Sequence, residues 1–559
     1  MIVKTPYGIK PYGEENYPEN IGPSPYLAKE QYIFVYIDAR GMFMSEGKML
    51  QMTPHLPIKS DSTYVDESSD TYDVVEWLLK HTHNNGKAGL WGISYRGYYA
   101  AAGIIDAHPA IVCSSPQAPI ADWYIGDDIH HNGAFSLMPA FDFFEAVGQT
   151  HNTTFREWPP IKDFPIKDAY NFFLGIGRLD EIDDNYFNGE VPFWDSIVKH
   201  PNYDTYWQRR NILPHLINIK PAVLVTGGLF DSENLYGSVQ TYKAIAENSE
   251  NDTRLVLGPW IHGGWARTTG DHLGMLDFGS PTSDFYQREI ELPFFNHYLK
   301  QKGSLEKIPR VAIFTTGSNE WKFFEEWPPD NLDLQKLYLR ENKSLSFTTS
   351  SQSGFQYDEY IADPEHPVPY TQVFHPVRLF YNKEYIVEDQ RFAASRPDVL
   401  SYETDVLKDT LHMLGPIIAR LFIAASSSDY DIVVKLIDVY PDTINTQYYS
   451  EPTVELAGYQ QMVRAEILRV KYRNSFEDPD PIIPGKIEEI KLTLNDVCHA
   501  FLPGHKIMIQ IQSSWFPLYD RNPHVFMNIY QAEESDFQEA TIKIYRSKDY
   551  PSKIIFKTL

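Results

Sequence analysis

The sequence predicts an α/β fold on a parallel sheet, interrupted by a helical insertion and followed by an all-β unit. Three observations predict it. From Gln31 to about Gly317, strand-like apolar runs alternate with helical stretches, the pattern of repeated β–α units in a parallel sheet. Between about Tyr124 and His215 that alternation stops and aromatics crowd together (Phe135, Phe141, Phe143, Phe144, Trp158, Phe172, Phe173, Phe187, Trp194, Trp207). From about Leu332 onward, strand-like runs are separated only by turn-rich segments, as in an all-β sandwich or jelly roll. The expected divisions are residues 1–123 and 216–325 for the two parts of the sheet unit, 124–215 for the cap-like insertion and 326–559 for the β unit. At about 150 residues per domain, a length of 559 suits three or four such units.

Taken in order, Met1-Ile2-Val3-Lys4-Thr5-Pro6-Tyr7-Gly8 reads as the end of a strand running into a Pro/Gly turn. It has neither the basic start, the apolar core nor the cleavage site of a signal peptide. A large domain opening on its last strand residues is expected to lack upstream strands, through an internal start or trimming. Residues 32–37 are a continuous apolar run ending at Asp38, suited to a strand buried on both faces. Residues 71–81 carry apolar side chains at 74, 75, 78 and 79, a helical spacing. A short apolar strand follows at 88–92, a helix at 98–106, and further strands at 110–113, 222–226 and 255–257. In the last unit, strands are expected at 432–439, 487–494, 506–512 and 541–545. No internal repeat and no low-complexity tract interrupts this plan.

Composition removes several functions. Hydrophobic residues at 43% and charged residues at 22% are ordinary globular usage and exclude a mainly disordered chain. Lys and Arg number 49 against 75 Asp and Glu, a net charge of −26 that repels phosphate backbones and anionic membranes. No nucleic-acid or membrane partner is expected, and no apolar stretch reaches the ~18 residues that span a bilayer. Cys113 and Cys498 are too few for a disulfide scaffold or a cysteine-built metal site, and their own redox state stays open.

The strongest local signal is Leu90-Trp91-Gly92-Ile93-Ser94-Tyr95-Arg96-Gly97-Tyr98. A short strand meets a helix through a turn with a serine between two glycines, the context in which a sharp elbow lifts a nucleophile above a sheet. The spacing is one residue longer than the common G-x-S-x-G. A serine needs a base, and the base an orienting acid, in the chain order Ser, acid, His for this fold. Pro221-Ala222-Val223-Leu224-Val225-Thr226-Gly227-Gly228-Leu229-Phe230-Asp231 supplies a strand, two glycines and an acid. Arg254-Leu255-Val256-Leu257-Gly258-Pro259-Trp260-Ile261-His262-Gly263-Gly264 supplies a strand and a histidine among glycines. Between Asp231 and His262 there is room for one crossover helix, at 238–247. Order and strand context select Ser94, Asp231 and His262 as a triad.

These segments resemble the cocaine esterase/X-Pro dipeptidyl-peptidase (CocE/NonD) group of serine hydrolases. Within it the sequence is most similar to the α-amino acid ester hydrolases, or β-lactam antibiotic acylases. Further matches run in order along nearly the whole chain: Thr5-Pro6-Tyr7, Asp38-Ala39-Arg40-Gly41, Gly126-Asp127-Asp128-Ile129-His130-His131-Asn132-Gly133, Val387-Glu388-Asp389-Gln390-Arg391-Phe392 and Gln512-Ser513-Ser514-Trp515-Phe516-Pro517. The resemblance implies an α/β-hydrolase domain with a helical cap and a C-terminal jelly roll, frequent export to periplasm or medium, and frequent homo-oligomers. It implies no cofactor and no metal, and a small ester, amide or short peptide as substrate.

The expected chemistry is acyl transfer through a covalent intermediate. The Tyr95 backbone N–H, following the nucleophile, is one oxyanion donor. The resemblance makes the Tyr7 hydroxyl the second, and it implies a carboxylate cluster for a substrate α-ammonium at Asp128 and Glu233, with the neutral Asn234 where relatives carry a third acid. Asn234 accepts a hydrogen bond but adds no charge, so α-amino selectivity is expected to be retained but weakened, and Asn234→Asp to raise it. Arg96 departs from some relatives; pairing with an acid and altering the leaving-group side both stay open. His130-His131 is not expected to bind metal, because adjacent side chains diverge. Asp389-Gln390-Arg391 and Asp520-Arg521-Asn522 are expected to be turn or interdomain contacts. Two alternatives remain: a general carboxylesterase, N-acyl amidase or X-Pro dipeptidyl-peptidase with the same triad, and a truncated non-catalytic fragment or binding protein.

Overall fold

The structure, a computed structural model, describes residues 1–18, 20–61, 63–154, 167–373, 382–442 and 456–559. Trp158 lies outside them. An eight-stranded sheet forms the first half, with strands β1 (Ile2–Thr5), β2 (Val35–Asp38), β3 (Ala88–Ile93), β4 (Ile111–Gln117), β5 (Ala222–Gly228), β6 (Thr253–Gly258), β7 (Val311–Thr315) and β8 (Glu320–Phe324). Their spatial order is β8-β7-β6-β5-β4-β3-β1-β2. All neighbours are parallel except the β7–β8 hairpin. The period of two along a strand divides the core into two layers. Val223 and Val225 join Leu255 and Leu257 on one face, while Leu224 and Val256 pack with Phe294, Phe295 and Leu299 on the other.

Helix α1 (Glu67–His81) begins a turn earlier than its apolar spacing announces, because Asp66 and Ser69 exchange side-chain and backbone hydrogen bonds as a capping box. Helix α2 (Tyr95–Ala102) starts directly after Ser94, ahead of the expected 98–106. β4 runs on to Gln117 through two serines that the apolar pattern does not register. Their hydroxyls are satisfied inside the core, Ser114 donating to Ala100 O and Ser115 to Leu224 O, both over 2.9 Å. The expected two-faced strand at 32–37 is corrected: β2 is Val35–Asp38, at the sheet edge, and Ile33 before it is 48% exposed. An apolar run looks the same in sequence whether neighbours cover both faces or one.

The chain between β4 and β5 carries helices α3 (Leu137–Val147) and α4 (Pro192–Lys199) among shorter turns. Its aromatics form one edge-to-face network, with Phe141 against Phe172, Phe173 and Tyr186, and Trp194 against Phe135 and Phe187. Helix α5 (Leu235–Asn248) is the crossover between β5 and β6.

The second half is a sandwich of antiparallel sheets. One contains β9 (Asp333–Leu339), β10 (Leu345–Ser346), β11 (Tyr357–Ala362), β13 (Leu411–Ala425), β16 (Glu488–Phe501), β18 (Ala540–Tyr545) and β19 (Lys553–Thr558). The other contains β12 (Leu400–Glu403), β14 (Asp431–Val439), β15 (Gln460–Arg469) and β17 (Lys506–Gln512). Inward residues of both, such as Ile417, Leu421 and Ile542 against Val434, Leu436 and Ile509, share one apolar core. Among the described residues, no helix is long and apolar enough to cross a membrane.

Polar contacts tie the halves together, among them Phe135 N donating to Asp520, Met138 N to Pro517 O, and Arg464 to Leu229 O beside the loop of Asp231. Within the sandwich Arg469 also donates to Asp520. Asp520, read from sequence as a turn or interdomain acid, thus holds the cap hairpin to the sandwich. Gln390 is buried and accepts from Lys435 Nζ at 2.9 Å, while Asp389 accepts from Gln460 N at 3.2 Å.

Candidate active site

Ser94 stands where β3 turns into α2, at φ 67° and ψ −127°, a left-handed conformation that a side chain adopts only under strain. The flanking glycines are required by space. A Cβ on Gly92 would lie 2.4 Å from Arg96 O, and one on Gly97 would lie 2.5 Å from Gln117 O. The Ser94 N–H donates to Gln117 O over 3.0 Å, fixing the turn to the end of β4.

Asp231 follows β5 and is buried, with Oδ1 accepting from the backbone N–H groups of Glu233 at 2.9 Å and Asn234 at 3.0 Å. Its carboxylate faces His262 Nδ1, at 3.0 Å from Oδ2 and 3.2 Å from Oδ1. Gly228 permits this approach, because a Cβ there would lie 2.1 Å from Trp260 O. His262 follows β6 and is buried. Burial opposes its charge, but Asp231 and Glu233 outweigh burial and raise its pKa, while Lys383 pulls the other way. Glu233 Oε2 lies 3.3 Å from Nε2, the nitrogen not engaged by Asp231.

Ser94 and His262 open into a cavity of about 1140 Å³ between sheet and cap. Tyr7, just beyond β1, also lines it and shares a hydrogen bond with Ser94. Burial above all, with Asp128 and Glu233 adding, pushes its pKa well up, so the phenol stays protonated. The Tyr95 side chain is directed away from the cavity: its hydroxyl donates to Gln51 Oε1 at 2.9 Å and accepts from Met52 N at 2.6 Å. Only its backbone N–H is available beside Ser94. Arg96, open at the sequence level, stacks on the Tyr7 ring at 5.6 Å and donates to Thr5 Oγ1 at 3.2 Å.

Asp128 and Glu233 both reach the cavity wall, and their segments are joined by Asp128 N donating to Glu233 O over 3.3 Å. Burial and the neighbouring Glu233 raise the Asp128 pKa, partly offset by hydrogen bonds from Asn234 and Trp123. Asn234 does not share that wall. Its Nδ2 donates to Asp128 Oδ2 at 2.7 Å and reaches Asp127 Oδ1 at 3.4 Å, and its side chain is fully buried behind them. An acid at 234 would therefore stand against the carboxylates of Asp127 and Asp128. Asp127 is already pushed up to about 8 by burial and by Asp128.

Sequence reasoning missed Lys383. Its Nζ lies 2.5 Å from Glu233 Oε1, on the same cavity wall. It precedes the Val387-to-Phe392 motif by only a few residues, but no local pattern announces a lysine crossing from the β half into this site. His130 and His131 diverge as expected, Nε2 of the first lying 2.7 Å from Tyr530 Oη and Nδ1 of the second 3.1 Å from Glu466. Among the described residues there is no cluster of metal-ligating side chains. Cys113 and Cys498 are buried free thiols.

Comparison with known proteins gives two family matches. The model described as X-Pro dipeptidyl-peptidase (S15 family) covers residues 1–264, and that of the X-Pro dipeptidyl-peptidase C-terminal non-catalytic domain covers 303–555. The chain is 28% identical to the cocaine esterase of Rhodococcus sp. (strain MB1 Bresler) over 542 residues, 95% of this chain and 88% of that protein. It is similar to the crystal structure of an aminopeptidase from the marine sediment archaeon Thaumarchaeota archaeon, with TM-score 0.91 and 36% identity over 100% of this chain and 91% of that one. It is similar also to a selenomethionine-labelled α-amino acid ester hydrolase, with TM-score 0.90, 31% identity and the same coverage of 100% and 91%.

Proposed function

The chain belongs to the X-Pro dipeptidyl-peptidase (S15) family of serine esterases and peptidases, and from that premise we propose that it cleaves esters and amides of α-amino acids through an acyl-enzyme on Ser94. The observation that carries the reading is the pair of carboxylates, Asp128 and Glu233, on the wall of the cavity that holds Ser94 and His262. Two acids at close quarters favour a cation between them. The likeness to an aminopeptidase and to an α-amino acid ester hydrolase supports the same acyl group. β-Lactams with an α-amino acyl side chain belong to this substrate class.

In the proposed reaction His262 Nε2 takes the Ser94 proton while Asp231 holds Nδ1–H and stabilises the imidazolium. Ser94 Oγ bonds to the carbonyl carbon, and the oxyanion accepts from Tyr95 N–H and Tyr7 O–H. The C–O or C–N bond breaks as the leaving group takes the proton from Nε2. Water then repeats the sequence on the acyl-enzyme. Glu233 beside Nε2 has a second effect: a substrate ammonium on Glu233 weakens its pull on the imidazolium, returning His262 towards the neutral base.

Tyr7→Phe removes one oxyanion donor and is expected to lower kcat about 100- to 1000-fold with KM little changed. Steady-state kinetics on a neutral methyl ester check this, and a rate near that of the unchanged protein would exclude Tyr7 from the oxyanion hole.

Selectivity is read by comparing kcat/KM for phenylglycine methyl ester and phenylacetic acid methyl ester, which differ only in the α-amino group. A well-paired ammonium gives ~30- to 1000-fold. Lys383 already neutralises part of Glu233, so we expect the low end of that range, about 30-fold. The ratio should climb between about pH 6 and 7.5 as Asp128, raised by burial, loses its proton. A ratio near one with real turnover would leave a general carboxylesterase.

Lys383→Met should raise that ratio about 5- to 10-fold by freeing Glu233 for substrate. An unchanged or lower ratio would mean that Lys383 does not compete with the substrate's ammonium.

A further inference from the structure

Two guanidinium groups in the cavity have no carboxylate partner. Arg96 is two residues past Ser94, anchored to Thr5 and stacked on Tyr7. Arg267 ends the turn Gly264–Arg267 that follows His262, and a Cβ on Gly263 would lie 3.1 Å from its Cζ. Both line the cavity that contains Ser94. Among the described residues neither is held by an Asp or Glu. Burial, and then Arg267, disfavour the charge on Arg96; the groups whose charge bears on it are Tyr7, Arg267 and Tyr36, none of them a carboxylate. Arg267 is exposed and Arg96 half-buried, so solvent screens their repulsion in part, and an anion entering the cavity between them would meet two cations.

The cavity is therefore bipolar. Arg96 stacks on the Tyr7 ring at 5.6 Å and Glu233 lies 3.3 Å from His262 Nε2, so charges of both signs border Ser94 in the one cavity. If the acyl group's ammonium takes the carboxylate pole, the guanidinium pole is left for the leaving group.

We propose that Arg96 and Arg267 form a subsite for a carboxylate carried by the leaving group. The preferred substrates are then zwitterions with an ammonium on the acyl side and a carboxylate close to the scissile bond on the other. A dipeptide with a free C-terminus and an amino acid ester of a hydroxy acid are of this kind. The assignment of the poles rests on the proposed function above. The chemistry is unchanged: Ser94 Oγ–C forms, C–N or C–O breaks, and the amino or hydroxy acid leaves with the proton from His262 and its own carboxylate intact.

Four esters test this: phenylglycine and phenylacetic acid, each as carboxymethyl and as carbamoylmethyl ester. The two leaving groups are alike in shape and differ by one negative charge. We expect kcat/KM to favour the carboxymethyl ester about 10-fold with either acyl group, and the preference to shrink in high salt. In Arg267→Gln and Arg96→Gln it should fall towards one, while Arg267→Lys keeps part of it. Taking the ratio within each variant cancels any loss that Arg96→Gln causes through Tyr7. No preference in the unchanged protein, or a preference that both glutamine variants keep, overturns the subsite. A leaving-group preference without an α-amino preference overturns the proposed acyl specificity and leaves the subsite standing. Absence of turnover with all four esters overturns both.

Discussion

Replacing Ser94 by alanine should lower kcat for any ester substrate about a million-fold, to the level that binding and the oxyanion donors alone sustain. The serine, its base and its acid act as a unit, so His262→Ala should cost nearly as much, and the double variant little more. Stability should not follow activity. The residue at 94 is held at φ 67° whatever its side chain, so alanine inherits the strain, and Ser94→Gly should be as inactive yet at least as stable as the alanine protein. Single-turnover kinetics with a chromogenic ester, alongside thermal melts of the unchanged protein and the two Ser94 variants, decide the matter. An alanine variant that retains more than a trace of activity would remove Ser94 as the nucleophile.

The second large effect is expected far from the chemistry. Arg469 is fully buried, and its guanidinium donates to Asp431 at 2.9 Å and to Asp520 at 2.9 Å. Arg469→Met keeps the volume and removes the charge, leaving two buried carboxylates without the guanidinium that bonds both. Breaking such a group from one side costs about 3–5 kcal/mol. Burial already raises the Asp520 carboxyl against the pull of Arg469, and without the guanidinium it would rise further above its unfolded value. The penalty is therefore largest at neutral pH and shrinks as the pH falls towards 5, where Asp520 takes up a proton. Urea melts at the two pH values measure this. A loss under 1 kcal/mol at pH 7.5 would mean that Asp431 and Asp520 find other partners.

Legibility in the sequence followed the range over which each feature is specified. Ser94, Asp231 and His262 each sit where a short apolar strand meets glycines, so local pattern and chain order located them at the ends of β3, β5 and β6. Gly92 and Gly97 could be read as crowding from the tight turn that they flank, whereas Gly228 makes room for Trp260 O, more than thirty residues away, which no local pattern shows. The extents of β2 and β4 were less legible: β2 is set by its place at the sheet edge and β4 by serine hydroxyls satisfied across the core. Asn234 could be located but not oriented, since whether an amide faces a cavity or backs a carboxylate depends on Asp127 and Asp128, more than a hundred residues away. Lys383 and Arg267 reach the cavity with no motif of their own. The two therefore enter through the fold, and the roles proposed for them concern specificity more than bond-breaking.

Arg464 on β15 donates to the carbonyl of Leu229, two residues before Asp231. For anyone treating this chain as a kit of parts, that one bond is a warning. The sandwich cannot be exchanged as a cassette, because whatever replaces it must present an arginine at that register or leave the acid loop without its outer brace. Nor should the first half, expressed alone, be taken as a minimal enzyme: it would hold Ser94, Asp231 and His262, but with the Asp231 loop freed to drift. Selection on the chemistry of the first half therefore reaches into a strand of the second.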